Sequence, residues 1–66
     1  MNRRSLASLE EVAEYLGLPS KTVRDQVYRR VGVGQYAFRV GKYLRWEWAD
    51  VDAFVQSQKE ARSIAA

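Results

Sequence analysis

Residues 8–31 read SLEEVAEYLGLPSKTVRDQVYRRV, and the spacing of polar and apolar positions in this stretch decides the fold. Ser8 and Glu11 form an S-x-x-E capping box, and Leu9, Val12, Ala13 and Leu16 follow the i, i+3, i+4, i+7 spacing of one helical face. Gly17 supplies a C-terminal stop. The acidic Glu10, Glu11 and Glu14 suit the positive end of that helix's dipole. Leu18 and Pro19 form a short turn, and Ser20 is an N-cap for a second helix over about 21–30, with Val23, Val27 and Val31 along one side. At roughly 100° per residue those valines span about 80°, whereas Lys21, Thr22, Asp25 and Arg29 lie about 160–260° from Val23, flanked by Arg24 and Tyr28. The second helix thus buries a narrow valine stripe and exposes cations and hydrogen-bonding groups. Two helices joined by so short a turn predict a helix–turn–helix.

Downstream, Gly32 and Gly34 break the helix, and Tyr36 to Trp46 alternates as two short strands around Gly41 and Lys42. A two-residue turn there would set Phe38 opposite Arg45 and Val40 opposite Tyr43. An odd-length loop sorts Tyr36, Phe38, Leu44 and Trp46 onto one face and Ala37, Arg39, Tyr43 and Arg45 onto the other. The odd loop is the expectation, with Gly41 in the left-handed position of a bulged turn and a basic outer face. A third helix is predicted from near Trp48 to about residue 58, carrying Trp48, Val51, Phe54 and Val55, with Asp50 and Asp52 in its first turn. Trp46, Trp48, Phe54, Leu16 and the valines are the expected core. The fold class is α+β, mainly α: one small winged helix–turn–helix domain over residues 1–66, with its core at about 7–58 and flexible tails at 1–6 and 59–66.

The chain has 66 residues, 11 Lys plus Arg against 8 Asp plus Glu, and a net charge of +3. A length of this order allows one domain and no enclosed active-site cavity of ordinary size. With neither Cys nor His in the sequence, disulfides, the usual zinc sites, thiol nucleophiles and imidazole bases are excluded, so no enzyme activity, cofactor or metal is expected. No stretch approaches the roughly 18 apolar residues of a membrane span, and residues 1–8 lack a signal-peptide core, so the expected location is the cytoplasm. Charge is segregated. Residues 17–45 hold Lys21, Arg24, Arg29, Arg30, Arg39, Lys42 and Arg45 against Asp25 alone, a net of +6, between segments of −1 and −2.

A helix face of this kind fits the major groove of duplex DNA, where hydrogen-bonding side chains distinguish base pairs. Arg24, Arg29 and Lys21 suit guanine edges or phosphates. Ser20 and Thr22 sit where hydroxyls and backbone N–H groups hold phosphate oxygens. Tyr28 lies beside them. Gly41 and Lys42 at the hairpin tip suit the adjacent minor groove, with Arg39, Tyr43 and Arg45 near the backbone. Plainer readings stand beside each: a basic face is often only solvated, Lys42 is a common turn residue, and Tyr15, Tyr28 and Tyr43 suit half-exposed packing. Asp25 either pairs with Arg24 or Arg29 or accepts from cytosine N4.

Four blocks in order, Leu9-Glu10-Glu11-Val12-Ala13-Glu14-Tyr15-Leu16-Gly17, Lys21-Thr22-Val23, Arg39-Val40-Gly41 and Asp50-Val51-Asp52-Ala53-Phe54, resemble the excisionase-type branch of the MerR-like winged-helix domains, over about residues 7–56. The resemblance implies a second helix in the major groove, with Lys21, Thr22, Arg24, Asp25 and Tyr28 at recognition positions, and a wing on the minor groove with Lys42 at its tip. Two features depart from the family pattern. Val31 to Ala37 is longer and Gly-rich without the usual Pro, and Asp25 stands where relatives often carry a cation. The resemblance further implies a phage recombination directionality factor that catalyses nothing, binds attachment-site repeats cooperatively, bends DNA and lets an integrase excise the prophage in the bacterial cytoplasm. Its partners would be double-stranded DNA, an integrase and neighbouring copies head to tail, with no membrane. The alternative is a small transcriptional regulator using the same surface. Regulators of the MerR type dimerise through a long C-terminal helix. With fewer than ten residues expected after the third helix, monomers side by side on direct repeats are the expectation. A protein-interaction adaptor meeting an acidic partner is a third class.

Overall fold

The capping box forms as the spacing predicts. In the computed structural model, which describes residues 5–65, the Glu11 N–H donates to Ser8 Oγ (3.1 Å) and the Ser8 N–H to Glu11 Oε1 (2.9 Å). These bonds open α1 (Leu9–Leu16). Gly17 closes it at φ 73°, ψ 29°. There the Leu18 N–H reaches the Ala13 carbonyl (2.9 Å) and the Gly17 N–H the Glu14 carbonyl (3.2 Å), the two bonds of a Schellman ending. Ser8→Ala removes one reciprocal pair and is expected to cost about 1 kcal/mol, read as a lower urea midpoint at unchanged m-value.

α2 (Ser20–Arg29) starts one residue earlier than expected. Pro19, not Ser20, is the N-cap, in an extended conformation (φ −64°, ψ 145°) and without a side-chain cap bond. Its carbonyl accepts from the N–H groups of Thr22 (3.0 Å) and Val23 (3.3 Å). The fixed φ of proline suits the cap, and Ser20 becomes the first helical residue. The far end also differs. Arg30 turns left-handed (φ 55°, ψ 44°), and the Arg30 and Val31 N–H groups donate back to Val27 (3.3 Å) and Gln26 (3.1 Å). Val31 therefore leaves the helical stripe and is exposed. A 3-10 helix over Gly32–Tyr36 follows.

The hairpin pairs β1 (Phe38–Val40) with β2 (Tyr43–Arg45). Its register corrects the odd-loop expectation: Phe38 faces Arg45, Arg39 faces Leu44 and Val40 faces Tyr43 across a two-residue Gly41-Lys42 turn. Gly41 has φ 64°, and Arg30 is the one non-glycine residue of positive φ among those described, so Lys42 is negative; this sign pattern, with glycine first, belongs to a type II′ turn. Sorting apolar from polar residues failed as a guide because the strands project beyond the core and no full face needs burying. Burial acts only at the base, where Trp46 is fully buried and Leu44 and Ala37 are half-buried. Phe38, Val40 and Tyr43 consequently share one face with Arg45 and are all exposed, Phe38 at the hairpin base still bordering α2, and Arg39 and Arg45 lie on opposite faces. Backbone bonds between Ala7 and Trp46 (2.8 and 3.0 Å) tie the hairpin base to the segment before α1.

α3 runs Trp48–Ala65, so residues 59–65, expected as a tail, are helical. Gln58, Lys59, Glu60, Ala61 and Arg62 all favour helix, and Gln56 Nε2 donates to Glu60 Oε2 one turn on (3.4 Å). Of the expected N-terminal tail, residues 1–4 lie outside the described residues. Asp52 falls in the second turn rather than the first. Its Oδ1 accepts from the Tyr15 hydroxyl (3.1 Å), while the Tyr15 ring meets Trp48 edge-on at 5.6 Å, which locks α1 to α3.

The core is Ala7, Leu9, Val12, Ala13, Val23, Val33, Trp46 and Val51, with Leu16, Val27, Trp48 and Phe54 packed against it. Three helices and a two-stranded antiparallel sheet make a mainly helical winged helix–turn–helix.

Candidate nucleic-acid interface

Burying Val23 turns the opposite side of α2 outward. Lys21, Arg24, Asp25, Tyr28 and Arg29 are exposed, Tyr28 at 80%, while Ser20 and Thr22 are half-buried in the first turn. Lys21, Thr22, Arg24, Asp25 and Tyr28 together border one shallow depression. Asp25 takes Arg29 as its partner and not Arg24, at 3.1 Å across one helical turn. Both side chains are more than half exposed, so the pair adds a few tenths of a kcal/mol at most. Its effect is electrostatic: one cation of the face is neutralised locally, and Arg24 remains without an ion pair among the described residues.

The hairpin brings a second group of cations. Gly41 and Lys42 stand at the tip with open space around the glycine. Two cations approach the Tyr43 ring, with Lys42 Nζ 5.7 Å and the Arg45 guanidinium 5.3 Å from its centre. Arg45 is half-buried and donates to the Leu44 carbonyl (2.7 Å). It sits on the outward face, whereas Arg39 shares the inner face with Leu44. Of the wing residues expected at an interface, Lys42 and Tyr43 are at the tip, Arg39 faces α2, and Arg45 is directed away from it.

Two side chains, both bonded to the Val33 backbone, set the angle between the two groups. Gln26 Oε1 accepts from the Val33 N–H (3.2 Å), and the Val33 carbonyl accepts from Trp46 Nε1 (2.9 Å). Val33 is thereby held to α2 on one side and to the hairpin base on the other. Gly34 packs directly on the α2 backbone at Gln26 and Val27. The result is a cleft whose walls are Arg24, Val27, Tyr28 and Arg30 on one side and Ala37, Phe38, Arg39 and Leu44 on the other, with Gly34 between.

Arg30 and Gln26 are the residues that reading the sequence missed. On the helical projection Arg30 falls at about 340°, only about 20° from Val23. An arginine on the apolar side signals that the helix must end before it. Gln26, at about 300°, is the polar residue beside the valine stripe, and that position marks it as a buried-edge hydrogen-bonding group.

Among the described residues no three His, Cys, Asp or Glu side chains gather as a metal site, and no helix is long and apolar enough to cross a membrane. No family model, no curated protein and no solved structure matches the chain.

Proposed function

We propose that this domain binds double-stranded DNA with sequence preference, laying α2 in the major groove and the hairpin tip in the adjacent minor groove, and that it acts as an excisionase-type recombination directionality factor. The observation that carries the DNA reading is one cleft with Arg24 and Arg30 on its α2 wall and Arg39 on its hairpin wall, flanked by the exposed face of α2 and by the exposed Gly41-Lys42 tip. The major groove accepts a helix, and guanidinium, hydroxyl and phenol groups read base edges there. The excision role follows from the resemblance of the four sequence blocks. Bending a site of a few turns costs on the order of 1–6 kcal/mol, which several bound copies supply through phosphate contacts.

A second reading, a small transcriptional regulator, gains from one observation. α3 extends to Ala65, so the premise of a short third helix followed by a tail fails. The exposed stretch of that helix over residues 56–61 is largely polar, however. Among the side chains of residues 56–61 only Ala61 is apolar, and a stable two-helix seam needs apolar a and d positions. Side-by-side monomers remain the better expectation, on grounds of surface chemistry in place of length.

A gel-shift titration with a footprint over the attachment and promoter regions of the protein's own locus tests both. Stepwise bands over direct repeats, with mobility altered by bending, support the excisionase reading. One band over a promoter palindrome supports the regulator, and no duplex binding at about 0.1 M salt rejects both in favour of an adaptor. Lys42→Ala is expected to weaken binding to all sequences and lower the salt slope by about 1, whereas Arg24→Ala is expected to cost about 1–3 kcal/mol with loss of preference at the base it reads. Equal loss on specific and random duplexes for Arg24→Ala would remove α2 as the reading element.

A further inference from the structure

We propose that the cleft between α2 and the hairpin is a binding site for one phosphodiester group of duplex DNA, and that Arg30 is the residue that holds it. The proposal rests on the DNA-binding reading and adds a contact that belongs to neither the recognition face nor the wing tip.

The first support is topological. In a B-form duplex one sugar–phosphate strand separates each major groove from the neighbouring minor groove. A domain with a helix in the first and a hairpin in the second must lay that strand across the cleft between them. The second is chemical. The cleft brings Arg24, Arg30 and Arg39 together with the Tyr28 phenol, and no carboxylate lines it. None of the three guanidinium groups has an ion-pair partner among the described residues. Planar guanidinium groups match phosphate oxygens in bidentate geometry.

The third is the backbone at Arg30. α1 and α2 end in the same pair of carbonyl bonds, and the left-handed residue is Gly17 in one and Arg30 in the other. A residue with a β-carbon is strained in that region and glycine is not. The Arg30 side chain gives the fold nothing visible in return, since it is exposed and forms no hydrogen bond or ion pair with another described residue. A strained residue without an internal partner, at the junction of the two DNA-facing elements, is accounted for by an external one.

The test compares wild type, Arg30→Gly and Lys59→Ala, the last being an exposed cation on α3 that lines a separate groove. Binding to a duplex from the protein's own locus is followed by fluorescence anisotropy across a series of salt concentrations, together with thermal unfolding of each variant. Arg30→Gly is expected to unfold at a higher temperature than wild type yet bind about tenfold more weakly at about 0.1 M salt. Its plot of log K against log salt should be shallower by about 0.9, with sequence preference retained. Lys59→Ala should bind as wild type does. An unchanged slope for Arg30→Gly overturns the phosphate contact. A lowered unfolding temperature overturns it too, by making Arg30 a structural residue, and an equal loss in Lys59→Ala reduces the effect to net charge. Failure of wild type to bind any duplex rejects the DNA reading itself, an outcome distinct from a bound wild type with an unaffected variant.

Discussion

Gly34→Ala is expected to leave no cooperatively folded domain. A β-carbon at this position would overlap the Gln26 carbonyl group and the Val27 amide nitrogen, all backbone atoms of α2 that no rotamer change can move. Gly34 has a negative φ, so the cost is steric contact alone. Relief requires the 3-10 helix to move off α2, which takes Val33 out of the core and breaks both of its bonds, to Gln26 and to Trp46. Overpacking by one methyl typically costs about 1–3 kcal/mol where neighbours can yield, and more where they cannot. A domain of this size holds only about 3–5 kcal/mol in total. The readout is loss of the near-ultraviolet circular dichroism and of a sigmoidal thermal transition. Gly32→Ala is the graded control: its β-carbon would meet the Gln26 side-chain oxygen at 2.7 Å and sit at φ 52°, so the Gln26 side chain gives way at the cost of its Val33 bond and some backbone strain, and a cooperative but less stable domain should survive. Cooperative unfolding of Gly34→Ala within about 1 kcal/mol of wild type would mean that the 3-10 helix is not seated on α2 as described.

Trp46→Ala ranks second, at about 3–5 kcal/mol for the loss of a buried large aromatic. Trp46 is the largest fully buried side chain, and its indole N–H is the hairpin's side-chain link to Val33. Trp46→Phe separates the two contributions. It keeps most of the apolar contact and leaves the Val33 carbonyl without its partner, for about 1–3 kcal/mol. Urea denaturation followed by far-ultraviolet circular dichroism should rank wild type, Trp46→Phe and Trp46→Ala in that order. Equal midpoints for the first two would show that the indole bond adds nothing and that the wing is held by packing alone.

How far the sequence could be read followed from how local each determinant was. α1 was legible from cap to stop because the capping box and Gly17 act within a few residues. The left-handed turn at Arg30 was not, because glycine is the usual signal there and the chain uses arginine. The register at Gly41-Lys42 was not legible because alternation sorts residues only where a full face is buried, and these strands protrude past the core; a left-handed Gly41 suits a bulged loop and a two-residue turn alike. α3 ran on because Gln58, Lys59, Glu60, Ala61 and Arg62 are good helix formers, although the irregular apolar spacing after them resembled a tail. At the interface, the face of α2 was legible from periodicity alone. The cleft was not, since it depends on the angle that Gln26, Val33, Gly34 and Trp46 impose, and no spacing in the chain encodes an angle between elements.

The pairing of Ala7 with Trp46 gives this small chain a closed circuit. Everything between those residues forms one loop, and bringing its ends together costs about 3 kcal/mol of chain entropy. The two helices and the 3-10 helix make their contacts over short separations and do not need that closure first. Two amide–carbonyl bonds and one buried indole repay it only once the α1–α2 pair is already standing. The wing is therefore a late arrival in folding and an early departure in unfolding, and a protease acting on the native domain should meet an opened hairpin well before it meets an opened helix pair.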